Sequence, residues 1–177
     1  PLLLAADHAG TEQALAASGL PGWTVLRNHW YFENLFLVLP PAIGSGNWYA
    51  ADGGKGSADI ARDDLALAAA TVVSSNGAGK RTYTLSGSQS LTKSEVAAAV
   101  SAVIGKSINV VQIPLEALVQ GMTQAGLPEP MARVFASFDT NTEAGRVAEV
   151  SGDFRRLTGR DPQRFDDWLA ANKALFA

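Results

Sequence analysis

The sequence predicts an α/β fold that ends in a helical tail. Three observations predict it. Short apolar runs with strand character alternate with helical periods up to residue 113; after Pro114 every remaining period is helical; and the alternation helix-strand-helix-strand-helix-strand is that of a parallel sheet with crossover helices.

Leu4, His8, Thr11, Glu12 and Leu15 recur at helical spacing, and Gly19 with Pro21 stops that first helix. Trp23 to Leu26 is a short apolar run fit for a buried parallel strand. From Glu33 to Ile43 the pattern is apolar and helical, broken by Pro40-Pro41. The glycine-rich stretch from Gly44 to Gly56, with Trp48 and Tyr49, suggests a loop-rich hairpin, and Ser57 to Ile60 its returning strand. Acidic residues open a helix over 63–74, which Asn76-Gly-Ala-Gly79 ends. Thr82 to Leu85 alternates like a strand. Thr92 followed by Glu95 has capping-box spacing for a helix running to Ile104, and Ile108 to Ile113 is the third clear strand. Helices over about 115–125, 128–138, 151–158 and 163–175 complete the chain. Three strands are too few for a parallel sheet buried on both faces, so the sequence reads as the later part of a larger fold.

Composition excludes several classes. With 47% apolar residues and a net charge of -3, the 177-residue chain lacks the signature of disorder. No Lys/Arg cluster offers a phosphate backbone a footing, so nucleic acid is not an expected partner. The absence of cysteine removes disulfides, thiolate metal sites and thiol nucleophiles. No apolar run approaches the roughly 20 residues that span a bilayer. The expectation is a soluble cytoplasmic protein with no membrane partner.

Familiar motifs fail on inspection. Gly105-Lys-Ser107 ends like a phosphate loop, but Val100 stands where that loop needs glycine, and the segment follows a helix; Asn76 to Lys80 fails likewise. No Gly-x-Gly-x-x-Gly fingerprint and no Gly-x-Ser-x-Gly elbow is present. His8 and Glu12 share one helix face: either the carboxylate orients a proton-donating imidazole, or both belong to a solvated face. His29 is the only other histidine, too few for a zinc site, so no metal is expected. The densest segment, Leu26-Arg-Asn-His-Trp-Tyr-Phe-Glu-Asn34, follows directly on a strand, where open α/β sheets bind ligands. Its aromatics are a stacking surface or ordinary core, and Asn28 can fix a carboxamide with donor and acceptor together.

His8-x-x-Thr-Glu12, Ala17-Ser-Gly-Leu-Pro21 and Trp23-Thr-Val-Leu-Arg-Asn-x-Trp-Tyr-x-Glu-Asn34 resemble the NmrA-like branch of atypical short-chain dehydrogenase/reductases, and within it the bacterial NAD(P)H:quinone oxidoreductases and triphenylmethane-dye reductases. The resemblance continues through Asp52-Gly-Gly-Lys55, Arg62-Asp-Asp-Leu-Ala66, Tyr83-x-Leu-x-Gly87, Gly105-Lys106 and Gly126-Leu-Pro-Glu129. It implies the C-terminal part of a Rossmann-like fold with a small helical substrate-binding lobe. Residues 1–45 and 61–104 would form the outer part of the dinucleotide-binding domain, and 46–60 with 105–177 the lobe. An N-terminal half carrying the phosphate loop would be a further partner.

The cofactor so implied is NADPH or NADH, and the acceptor a small planar molecule such as a quinone. By resemblance His8 sits beside the nicotinamide as proton supplier. Asn28 and Trp30 contact the cofactor, while Trp30, Tyr31, Trp48, Gly53 and Lys55 line the acceptor site. Leu4 stands where typical short-chain dehydrogenases place their tyrosine, which disfavours carbonyl–alcohol chemistry, whereas a hydroquinone anion is a weak base and tolerates the loss. His29 replaces a residue that is often glycine in relatives and would narrow the pocket. A non-catalytic NADP(H)-binding redox regulator is the alternative, separated from a reductase by turnover.

Overall fold

In the computed structural model, which describes residues 2–75 and 79–176, the chain runs through α1 (Ala5–Ala17), β1 (Trp23–Asn28), α2 (Leu35–Ser45), β2 (Asn47–Ala50), β3 (Gly56–Ser57), α3 (Arg62–Ser74) and β4 (Lys80–Leu85). It continues through β5 (Leu91–Thr92), α4 (Lys93–Ile104), β6 (Asn109–Gln112), α5 (Leu115–Gln124), α6 (Glu129–Glu143), α7 (Asp153–Thr158) and α8 (Phe165–Asn172). The glycine run expected to end α3 has its residues 76–78 outside the described part.

β1 and β4 pair in parallel, in register from Trp23–Lys80 to Asn28–Leu85. β2 and β6 form a second parallel pair, and β3 and β5 a short antiparallel one. The α/β architecture with a helical tail is therefore present, but four expectations are corrected. The described residues hold six strands, not three. There is no hairpin over 44–60: Asn47–Ala50 turns to β6 and Gly56–Ser57 to β5. The glycines there build a turn between strands of different sheets, with Gly53 and Gly54 both at positive φ. Pro40 and Pro41 do not break α2. They remove two N–H donors, yet Leu35, Leu39 and Ala42 bury the helix against the main core, and that packing holds it. β1 also runs two residues beyond Leu26 and is half-buried rather than buried.

Three clusters form the core. The largest gathers Phe32, Leu39, Trp48, Val100, Phe165 and Trp168 between α2, α4 and α8. Trp168 has the rings of Phe32, Phe36, Phe165 and Phe176 around it, and its indole N–H donates to Glu33 Oε1 at 3.1 Å. A second cluster, with Ile60, Leu85 and Phe154, lies beside β1 and β4. In the third, Ala132 and Ala136 of α6 let that helix approach Leu118 and Val119 of α5 closely. α4 begins as its spacing predicts: Thr92 Oγ1 accepts from Glu95 N–H at 3.2 Å, and Glu95 Oε2 accepts from Thr92 N–H at 2.8 Å, a capping box worth about 1 kcal/mol. Gly87 is required by a close approach, because a Cβ there would overlap the Asp59 carbonyl oxygen. Its N–H donates to Ala58 O at 3.0 Å, which ties the segment after β4 to the one before α3. Among the described residues no helix is long and apolar enough to cross a membrane.

Candidate functional site

Beyond Asn28 the backbone leaves β1 but stays pinned. His29 N–H donates to Leu85 O at 2.9 Å, Ile60 N–H to Trp30 O at 3.0 Å, and Phe32 N–H to Ile60 O at 3.1 Å. These bonds fix the backbone of residues 29–32, so Phe32 enters the core while Trp30 and Tyr31 reach a cavity of about 410 Å³. The cavity opens at the carboxyl end of β1, the side on which open α/β sheets bind ligands. Trp30 and Tyr31 lie stacked at 6.4 Å with planes 15° apart, and Phe138 of α6 covers Trp30 at 4.0 Å.

His8, Asn28, Trp30, Tyr31, Trp48 and Lys55, six of the seven residues expected from the sequence, all line this cavity. Gly53 does not; its N–H donates to Gln112 Oε1 at 3.1 Å, and it serves the turn instead. Leu4 contributes apolar surface to the cavity. No hydrogen bond engages the Asn28 carboxamide or the His8 imidazole among the described residues. Glu12 makes no hydrogen bond to His8: its carboxylate forms a two-point pair with Arg27, 2.8 Å to Nε and 2.6 Å to Nη2, and this hydrogen bonding, with smaller Coulombic pulls from Arg27 and His8, holds its pKa below the ordinary carboxylate value. A guanidinium fork across from it matches the carboxylate better than a neighbouring ring on its own helix.

His29 lines the cavity, with Nδ1 3.1 Å from Ala58 O. Burial pushes its pKa down, against the pull of the Ala58 carbonyl and Glu149. The neutral ring then carries its proton on Nδ1. Asp59, also at the wall, is pushed up by burial, opposed by the Ser57 hydroxyl that donates to it and by Lys93.

One arrangement escaped the sequence reading. Lys93, at the start of α4, places Nζ 2.6 Å from Asp139 Oδ1 and 3.3 Å from Asp52 Oδ2. The Trp48 ring centroid lies 5.6 Å from the same nitrogen. Asp52, fully buried, also accepts from Gly54 N–H at 3.0 Å and Gln112 Nε2 at 2.7 Å, and Asp139 Oδ2 accepts from Ala51 N–H at 2.7 Å. All four side chains line the cavity. They come from β2, the turn after it, α4 and α6, so no local spacing announces them. Among the described residues no group of three or more His, Asp or Glu side chains is arranged to hold a metal ion.

Parallel strands joined through helices, with a ligand-sized aromatic cavity at the carboxyl end of β1, define a Rossmann-like α/β fold, and solved structures of NAD(P)H-dependent reductases superpose on the chain. NADPH-dependent quinone oxidoreductase QOR2 of Escherichia coli, solved with NADPH, matches with a TM-score of 0.91 and 30% identity over 97% of this chain and 60% of that one. Triphenylmethane reductase of Citrobacter sp., complexed with NADP(H), matches with a TM-score of 0.82 and 31% identity over 95% of this chain and 59% of that one. Among curated relatives, quinone oxidoreductase 2 of Escherichia coli (strain K12) is 33% identical over 159 residues, 90% of this chain and 55% of its own length. No protein-family model matches the chain. The resemblance carried by the segments from His8 to Glu129 is thus borne out, and the chain spans little more than half the length of the relatives it matches.

Proposed function

We propose that the chain forms the nicotinamide and acceptor side of an NAD(P)H-dependent oxidoreductase that passes hydride to a quinone or a similar planar acceptor. One observation carries this reading: the unengaged Asn28 carboxamide stands beside a slot walled by Trp30, Tyr31 and Phe138. A carboxamide offers a donor and an acceptor, the complement of a nicotinamide carboxamide, so the residues present fit that end of the cofactor. Bound there, NADPH or NADH supplies the hydride.

The chain's own part is positioning and proton supply. Asn28 orients the ring, with Trp30 beside it, and Trp30, Tyr31 and Trp48 hold the acceptor flat. The Gly53 turn carries Lys55 to the rim. His8, exposed to solvent at the same cavity, delivers the proton directly or through water. The division into a dinucleotide part over 1–45 and 61–104 and a substrate lobe over 46–60 and 105–177 belongs to this reading. The β2–β6 pairing and the bond from Ala51 to Asp139 support it by joining the two segments of the lobe. The compartment in which such an enzyme finds reduced nicotinamide is the cytoplasm.

The test is NADPH oxidation by the protein as naturally produced, with and without a naphthoquinone. Quinone-dependent oxidation is the expected result. Tight NADP(H) binding without turnover would instead identify a redox regulator.

A further inference from the structure

The Lys93 ammonium is held but not saturated. Lysine has three N–H donors in rotatable positions. Asp139 Oδ1 accepts one at 2.6 Å, Asp52 Oδ2 stands 3.3 Å away as an ion-pair partner without a hydrogen bond, and the side chain keeps 23% of its surface exposed at the cavity wall. Trp48 lies against it and limits where the chain can swing. The two carboxylates are themselves fixed by backbone N–H groups of Ala51 and Gly54 and by Gln112. A cation anchored in this way presents its remaining N–H at a defined place without reorganising, which is what stabilisation of a developing oxyanion requires.

We propose that Lys93 is a further catalytic residue of this site, donating its free N–H to a carbonyl oxygen of the planar acceptor and holding the oxyanion that reduction creates. The proposal rests on the reductase reading above. The acceptor gains hydride, two electrons and a proton together, from the reduced nicotinamide, which is oxidised. The quinone ring becomes aromatic as its carbonyl π bonds are lost, and the hydroquinone monoanion carries its charge on one oxygen. Lys93 holds that oxygen by a charge-assisted hydrogen bond. The neutralising proton comes from His8 or water, so Lys93 begins and ends as an ammonium.

Asp52 and Asp139 are positioning residues in this scheme. They keep Nζ in place and prevent the cation from drawing anions at random into the slot. An acceptor is then chosen for a carbonyl oxygen at the edge of a flat ring as well as for its apolar face.

Equilibrium binding of a naphthoquinone and of unsubstituted naphthalene, measured by calorimetry without reductant on the protein as naturally produced, tests this. The unaltered protein should prefer the quinone. Lys93→Met should reduce that preference roughly tenfold while naphthalene affinity holds, and Lys93→Arg should recover much of it. Asp139→Asn, which loosens the anchor but retains the ammonium, should keep a preference for the quinone. Equal weakening of both ligands in Lys93→Met would show a structural role alone and overturn the proposal, as would an unchanged preference. If neither ligand binds the unaltered protein, the reductase reading itself fails, and the role of Lys93 falls with it.

Discussion

The rings of Trp30 and Phe138 lie 4.0 Å apart, centroid to centroid, with planes tilted by 44°. One belongs to the pinned segment after β1 and the other to α6, so this contact closes the cavity between the strand end and the helical tail. Acceptor binding should therefore depend on both. Trp30→Ala removes an aromatic contact worth about 0.5–1.5 kcal/mol beyond its apolar area, and KM for a quinone should rise roughly tenfold with a smaller change in kcat. Phe138→Leu, which keeps volume but not the ring, should show a weaker effect of the same kind. Steady-state kinetics of the two variants check it. An unchanged KM for Trp30→Ala would place the acceptor elsewhere.

The pH dependence of stability should carry the mark of His29. Burial lowers its pKa from the ordinary value of 6.5. The folded state then binds fewer protons than the unfolded one, so stability is full above about pH 6.5 and is lost as pH falls toward the folded value. Asp59 and Asp64, both raised by burial from the ordinary 3.8, act in the opposite sense: what they contribute is present at low pH and lost as pH rises through their folded values. Comparing Tm at pH 7 and pH 5 in the unaltered protein and in His29→Gln isolates the histidine. The drop on acidification should shrink in the variant, and an equal drop in both would exclude His29 as its source.

Much of this site was legible because its signals are local. Asn28, Trp30 and Tyr31 follow directly on a strand, and that adjacency alone directs attention to the carboxyl end of β1. The Thr92–Glu95 cap is equally local, since three residues define it. β2 was not legible in the same way. Four residues between glycine-bearing turns carry too little periodicity, and its strand character comes from β6, some sixty residues on. The helix through Pro40 and Pro41 reverses a local rule through packing that only Leu39 and its buried neighbours supply. Lys93, Asp52 and Asp139 are the extreme case. Each is unremarkable in its own segment, and their chemistry exists only where the fold brings three elements together.

His8 should act at the reaction without help from the carboxylate one turn along its helix. It lines the cavity while Glu12 is committed to Arg27. His8→Ala should reduce kcat about tenfold, less than the 10²–10⁴ typical of an essential general acid, because a hydroquinone anion is a weak base that water can also protonate. His8→Lys should restore much of the rate, since an ammonium at that place can donate a proton or hold the cofactor ribose. Glu12→Gln should leave turnover near that of the unaltered protein, because the partner it loses is a guanidinium at the surface and not the imidazole. The three variants assayed for NADPH oxidation, with thermal melting to confirm folding, separate the possibilities. A Glu12→Gln defect as large as that of His8→Ala would mean that the pair works as a unit when the site is occupied. If His8→Ala leaves both turnover and NADPH affinity untouched, His8 is a solvated residue at the cavity mouth, and the binding of the nicotinamide rests on Asn28 and the aromatic wall.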